Sequence, residues 1–196
     1  MPLTVRFGES LYDQGGPMPY VYFPESCLVS LVMGDEHSSA EVACVGKRGF
    51  VGVALALGVG TSPFRALVCA EGGCRRMTSS HFRAAMQQHP EFAGLLYRYA
   101  NKLIVEICEW TAIDRRQPMK VRLAHWLLRT SDGLGRAELK VSQQFISEML
   151  GMRRSGVSAA AALLQESKLI SYSRGVIRIL DHAGLVAASQ FRHDES

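Results

Sequence analysis

The stretch Val141–Ile170, VSQQFISEMLGMRRSGVSAAAALLQESKLI, contains two helical patterns separated by a glycine. Ser142 is a favoured N-cap for the first helix, and Gly151 is the residue type that most readily ends it. The second helix, MRRSGVSAAAALLQESK, begins with paired arginines and continues into alanines, which permit close packing. Two helices joined by a turn containing glycine predict a helix-turn-helix.

The segments on either side extend this prediction. Downstream, LISYSRGVIRIL has two apolar segments around Ser173, Arg174 and Gly175, where glycine can take the positive φ of a tight hairpin. A hairpin after the second helix is a wing. Upstream, MKVRLAHWLLRTSD (Met119–Asp132) predicts a helix and ELKVS a brief strand.

Charge separates the two parts of the chain. Residues 1–114 carry 9 Lys and Arg against 11 Asp and Glu, whereas residues 115–196 carry 13 against 7. Because basic residues accumulate around the predicted helix-turn-helix, we expect this part to bind double-stranded DNA. An arginine pair alone is more typical of a solvated surface, so the prediction depends on turn, wing and charge together.

Individual roles follow from the usual docking of a helix-turn-helix, whose second helix meets base edges with its N-terminal residues. Arg153 and Arg154 are predicted to lead base readout, since a guanidinium matches the two acceptors of guanine. Ser155 and Ser158 are predicted to assist. The alanines are assigned to packing, and the residues expected to face the core are Val157, Ala160, Ala161 and Leu164. Backbone phosphates are assigned to Ser142, Gln143, Gln144 and, at the wing tip, Arg174.

The first part of the chain has a different pattern. From about Val5 to Met77, short apolar segments interrupted by Gly and Pro predict many short strands in a roll or barrel: VYF, CLVSLVM, EVACVG, VGVALALG, FRALVCAEG and CRRMTS. Ser80 is the expected N-cap of a short helix, and a long helix is expected from Pro90 to about Ile113. The fold class is therefore α+β, with expected domains at 1–89, 90–117 and 118–196.

The long helix contains a heptad seam, with apolar residues that alternate by four and three: Leu96, Ala100, Leu103, Ile107 and Trp110. The favoured interpretation is contact with a second copy in a parallel dimer. Packing on its own domain is the alternative. The tract Asp114–Lys120, DRRQPMK, is predicted to be a hinge because Pro118 interrupts the helix.

Along nearly its whole length the chain resembles the CRP/FNR family of bacterial transcription regulators. VYFPESCLVSLV and VGKRGFVGVALALG are similar to its cyclic-nucleotide-type β-roll, residues 90–113 to its dimerisation helix, and residues 141–170 to its winged helix-turn-helix. The resemblance implies DNA binding. Together with the heptad seam and the lack of a membrane span or signal peptide, it leads us to expect a cytoplasmic homodimer on an inverted-repeat operator, with RNA polymerase as a candidate partner. Operator-reading positions of the family's best-known member correspond to Arg154, Ser155 and Ala159, of which only Arg154 keeps the residue type.

The resemblance also indicates an effector pocket that differs from the family's. Cyclic-nucleotide binders carry a glutamate for the ribose and an Arg-Ser pair for the phosphate, whereas the matching segments here are GFVGVAL and PFRALV. Val53 replaces the glutamate, and Phe64 with Arg65 replaces the pair. Cyclic AMP is therefore not the expected effector. An unknown small-molecule effector is left open. Arg65 is a candidate to bind another anion, but the favoured interpretation is a surface or salt-bridged arginine.

Other classes are not indicated. No apolar run approaches the roughly 20 residues of a membrane-spanning helix, and no signal peptide is indicated. The histidines lack metal-site spacing, and we expect no metal, cofactor or enzyme activity. A redox role would start at Cys69 and Cys74, although five cysteines without a CxxC motif indicate free thiols. The remaining alternative is a ligand-sensing or protein-interaction module whose winged helix contacts protein rather than DNA.

Overall fold

The computed structural model describes residues 1–34, 39–114 and 117–190, except for the side chains of residues 111–114. The described residues divide into two compact units, one within residues 1–110 and the other within residues 111–190, which also includes residues 39–40. The predicted α+β class with a β-rich N-terminal part and a C-terminal helix-turn-helix is confirmed. Part of the predicted hinge, residues 115–116, lies outside the described residues.

The N-terminal unit is built on two sheets. Their strands are β1 (Pro2–Val5), β2 (Ser10–Tyr12), β3 (Tyr20–Pro24), β4 (Leu28–Gly34), β5 (Ser39–Val45), β6 (Arg65–Ala70) and β7 (Gly72–Thr78). One sheet has the order β1-β7-β3 and the other β2-β6-β4-β5. The side chains of Val21, Val29 and Val68 are fully buried in the core of this unit. Short strands with one buried face fit the predicted roll.

One predicted strand is a helix. The residues VGVALALG form the single turn α1 (Val53–Ala56) instead of a strand. On either side of this turn, Gly52 (φ of 121°) and Gly58 (φ of 85°) have positive φ, so the backbone is not that of a strand. Leu55 of this turn is buried, so the apolar run still contributes to the core.

Two helices follow the sheets. Helix α2 (Ser79–Gln88) is capped by Thr78, whose hydroxyl accepts a hydrogen bond from the His81 amide at 3.3 Å. The prediction of Ser80 as the cap was therefore wrong by two residues. Helix α3 (Pro90–Asp114) begins at the predicted proline, which suits a first turn because its missing N–H needs no partner there.

The C-terminal unit combines four helices with a small sheet among the described residues. Its elements are α4 (Met119–Leu134), β8 (Glu138–Lys140), α5 (Gln143–Leu150), α6 (Arg154–Glu166), β9 (Ile170–Ser173), β10 (Val176–Ile179) and α7 (His182–Ser189). The strands pair in the order β8-β10-β9. Arg153 is the N-cap of α6, so this helix starts two residues later than predicted. At the centre of the C-terminal unit, Trp126, Ile146 and Leu164 are buried.

Candidate nucleic-acid interface

Helix α5 and the turn after it are held by short-range hydrogen bonds. Ser142 Oγ accepts from the Phe145 amide at 3.1 Å, and Gly151 ends the helix with φ of 56°. The Ser147 hydroxyl donates to the Met152 carbonyl at 2.7 Å, and the Met152 amide donates to the Ser147 carbonyl at 3.0 Å. Met152 is also buried. The predicted cap and glycine turn are therefore present, and the direction from α5 into α6 is well specified.

Helix α6 has one buried and one exposed face. The residues predicted to face the core are buried, namely Val157, Ala160, Ala161 and Leu164. The residues predicted to contact bases are exposed, namely Arg153, Arg154, Ser155 and Ser158. Assigning the alanines to packing was wrong for Ala159 and Ala162, which are exposed. Four consecutive residues span more than one helical turn, so they cannot all face the core.

Helix α4 supports both helices of the motif. Gly156 of α6 lies against Met119 of α4, and a Cβ at this position would require the end of the flexible methionine side chain to move. The Arg122 guanidinium donates to the Leu150 carbonyl at the end of α5. These contacts hold the N-terminus of α6, and with it the arginine pair, in a defined position on the unit.

The polar side chains at the start of α5 have different partners. Gln143 Oε1 accepts a hydrogen bond from Ser158 Oγ of α6 at 2.7 Å. Gln144 Nε2 instead donates to Glu148 Oε1 of its own helix at 2.8 Å. Of the three residues assigned to the DNA backbone at this position, Ser142, Gln143 and Gln144, only Gln143 is hydrogen-bonded to the second helix.

The wing is the β9–β10 hairpin. Ser173 pairs with Val176, so the turn has two residues, Arg174 with φ of 50° and Gly175 with φ of 78°. Positive φ at both positions defines a type I′ turn, which matches the twist of the strands. The prediction assigned positive φ to the glycine, whereas Arg174 shares it. The Arg174 side chain is exposed at the tip.

Ion pairing distinguishes the exposed arginines. Arg178 Nη2 lies 2.7 Å from Glu138 Oε2, and this guanidinium holds the pKa of the Glu138 carboxyl below its usual value. Arg153, Arg154 and Arg174 form no ion pair within residues 117–190. Their charges are therefore available to an anionic partner.

Residues 121–188 match the Crp-like helix-turn-helix domain family. The C-terminal unit therefore resembles a Crp-like helix-turn-helix domain. This family consists of transcription regulators and is not an enzyme family. No curated protein matches the sequence of the chain.

Solved structures resemble the chain over almost all of its length. FixK2 from Bradyrhizobium japonicum has a TM-score of 0.83 at 16% identity, with 98% of each chain covered. A CRP-family transcriptional regulator from Thermus thermophilus has a TM-score of 0.77 at 20% identity, with 95% of this chain and 96% of that one covered. The predicted resemblance to CRP/FNR regulators is confirmed, and the chain has their fold.

The heptad seam predicted on α3 faces the interior of its own unit. Leu96, Ala100, Leu103 and Trp110 are at most 5% exposed and Ile107 is half-buried. The Trp110 indole donates to the Glu41 carbonyl at 2.7 Å. Packing on its own domain, the alternative interpretation, accounts for these five side chains.

A second heptad seam lies on the exposed side of α3. Tyr97, Asn101, Ile104 and Cys108 also alternate by four and three, and all four are exposed. We call these four residues the outer seam. The sequence prediction missed it because α3 has apolar residues at two heptad registers, and the buried register contains more of them.

A small cavity occupies the place of the predicted effector pocket. Its lining includes Val53, Phe64, Phe50 and Leu103 but not Arg65, whose side chain is exposed on β6. The cavity volume of about 20 Å³ is enough for about one water molecule. The N-terminal unit therefore fills this place largely with its own side chains.

The cysteines form no disulfide bond, as expected, and all five lie within the described residues. The thiol beside that of Cys74 belongs to Cys27 rather than to Cys69. A hydrogen bond between these two thiols lowers the pKa of Cys27 and raises the pKa of Cys74. Cys69 lies on β6.

Two further observations concern the described ranges. Among the described side chains, those of residues 1–34, 39–110 and 117–190, no group of three or more His, Cys, Asp or Glu is arranged for a metal. No helix within these ranges is long and apolar enough to cross a membrane. Two of the six histidines, His37 and His193, lie outside the described residues.

Proposed function

We propose that the protein is a homodimeric transcription regulator that binds an inverted-repeat DNA operator through α6. The observation that carries the proposal is the exposed pair Arg153 and Arg154 at the start of this helix, within a Crp-like helix-turn-helix domain. The N-terminal end of the second helix is the part that meets base edges in such domains. Neither arginine is neutralised by a carboxylate within residues 117–190.

The proposed roles divide into sequence readout and backbone contact. Arg154 donates to guanine O6 and N7, assisted by Arg153 and Ser155, because bidentate contacts discriminate among bases. Arg174 neutralises a backbone phosphate from the wing tip. Phosphate contacts position the protein without reading the sequence.

The proposed dimer contact is the outer seam of α3. Tyr97 and Ile104 are 51% and 53% exposed in the single chain, so a parallel partner helix would remove their apolar surface from water. Each subunit of such a dimer would present one α6 to one half-site of the operator. The half-site centres are then about 34 Å apart, one turn of DNA.

We propose that cyclic AMP is not the effector of this regulator. Val53 has no acceptor for a ribose hydroxyl, Arg65 does not line the cavity, and about 20 Å³ is far below the several hundred that enclose a small-molecule ligand. Saturating cyclic AMP is expected to leave operator affinity unchanged in fluorescence anisotropy. A large gain in affinity would contradict this part of the proposal.

The test of the function is selection from random duplex DNA by the purified protein, followed by anisotropy at several salt concentrations. We expect an enriched palindrome and a steep loss of affinity with salt, because phosphate contacts release counterions. Arg154→Ala should relax preference at one position per half-site, by about 1–3 kcal/mol. Arg174→Ala should weaken operator and random DNA alike and reduce the salt slope.

Two results would contradict the proposal. If Arg154→Ala and Arg174→Ala lowered affinity equally for operator and random DNA, the assigned roles would be wrong. If no sequence were enriched and binding were insensitive to salt, the winged helix would instead be assigned to protein contact.

A further inference from the structure

The hydrogen bond between Ser158 and Gln143 changes the role expected of both side chains. Ser158 Oγ lies 2.7 Å from Gln143 Oε1, and a carboxamide oxygen can only accept, so the serine hydroxyl is the donor. A serine hydroxyl has a single proton. While this bond is intact, Ser158 has no proton to donate to a base.

The same bond orients the Gln143 carboxamide. With Oε1 bonded to Ser158, the two protons on Nε2, the other end of the carboxamide, are not used in this hydrogen bond. The adjacent Gln144 is not equivalent, because its Nε2 donates to Glu148 Oε1 within α5 at 2.8 Å. Of the two glutamines, Gln143 is the one whose amide donors are not used within its own helix.

We propose that Ser158 is a positioning residue, which holds the Gln143 amide so that Nε2 donates to a DNA phosphate, rather than a residue that reads a base. This inference rests on the proposed function. In place of separate DNA contacts by Ser158 and Gln143, it gives a single contact to phosphate, which Gln143 makes and Ser158 positions. Neutral amide donors release no counterion, so the coupled contact adds affinity for any sequence and leaves the salt slope unchanged.

A double-mutant cycle tests the coupling. The variants are S158A, Q143A, the double variant and S158T, which keeps the hydroxyl, each measured by anisotropy on the selected operator and on random duplex. We expect S158A to lose about threefold to tenfold on both DNAs, the range for one hydrogen bond. The double variant should bind no more weakly than Q143A, and S158T should restore most of the affinity.

S155A is the matched comparison, since Ser155 is another exposed serine of α6 and is proposed to face bases. Its loss should be confined to the operator, and the half-site selected by this variant should change at one position. The half-site selected by S158A should remain that of the wild type. Alanine favours a helix, so S158A is expected to keep the thermal midpoint of the wild type.

Several results would overturn the inference: an altered base preference for S158A, losses of S158A and Q143A that multiply in the double variant, or no loss for S158A. Q143E gives an independent check, because the carboxylate keeps the acceptor for Ser158 but removes both amide donors. It should bind all DNA more weakly than Q143A. If wild-type protein bound no DNA at all, the proposed function itself would fail.

Discussion

Helices α6 and α3 both pack an apolar face on their own units, but they differ in what they expose. Helix α6 buries Val157 and Leu164 and exposes arginines, serines and two alanines near its start. Helix α3 buries one heptad seam and exposes a second one that contains Tyr97 and Ile104. An apolar pattern therefore identifies the buried face only when the rest of the helix surface is mainly polar. Where both faces carry apolar residues, the neighbouring strands determine which one is covered.

The largest expected effect concerns the buried face of α6. Leu164 is fully buried and its neighbour Leu163 is 47% exposed. Leu164→Ala should lower the free energy of unfolding by about 3 kcal/mol, because it leaves a cavity. Leu163→Ala is the matched control and should cost less than about 0.5 kcal/mol. Urea unfolding followed by circular dichroism measures both, and equal losses would break the assignment of the two faces.

The next effect tests close packing in the N-terminal unit. A Cβ at Gly72 would lie 2.6 Å from the Ser26 carbonyl oxygen and 2.9 Å from the Cys27 amide nitrogen, and this backbone has no easy way to move. Gly72→Ala should cost about 2 kcal/mol through overpacking.

The adjacent glycine serves as the control for this substitution. A Cβ at Gly73 would meet the Ser26 side-chain oxygen at 3.3 Å, so Gly73→Ala should cost clearly less. Thermal unfolding of the two variants gives the comparison. A Gly73→Ala variant less stable than Gly72→Ala would show that β7 is not restricted by backbone contact.

The third prediction sharpens the distinction between the two seams of α3. Ile104→Glu places a charge in the outer seam and should weaken dimerisation at least about tenfold, since the carboxylate would lose its hydration at the interface. Leu95 lies outside the seam and is 58% exposed, close to the 53% of Ile104. Leu95→Glu is therefore the control and should leave the dimer unchanged. Sedimentation equilibrium over a range of concentrations measures both. The outer seam is not the contact if the two variants dimerise equally.

The smallest effect is a pH dependence of the C-terminal unit. Burial, together with the nearby Arg129 guanidinium, lowers the pKa of His125. The folded state therefore binds this proton less readily than the unfolded state, and stability falls as pH decreases below about 6.5, the unfolded value. The thermal midpoint should drop by at most a few degrees between pH 7.5 and 5.5. His125→Gln should reduce this drop, and an unchanged drop would assign it to other groups.

Local signals predicted most of the C-terminal unit. Ser142 caps α5, Gly151 takes positive φ and Ser173 to Val176 form a tight turn, each through contacts within a few residues. The prediction of VGVALALG as a strand was wrong because an apolar run fits either a strand or a buried helical turn, and Gly52 decides between them. The cap at Thr78 was missed because Thr78, Ser79 and Ser80 are all acceptable caps.

By itself, the sequence determined the helix-turn-helix, its wing and the position of Arg153 and Arg154, because caps, positive-φ glycines and helical spacing act over less than two turns. The tertiary structure decided which seam of α3 is exposed, which thiol lies beside Cys74 and that Ser158 is bonded to Gln143. Each of these depends on residues that are distant in sequence and are brought together only by packing. Periodicity describes one element at a time, so it contains no information about the partner that an element will meet.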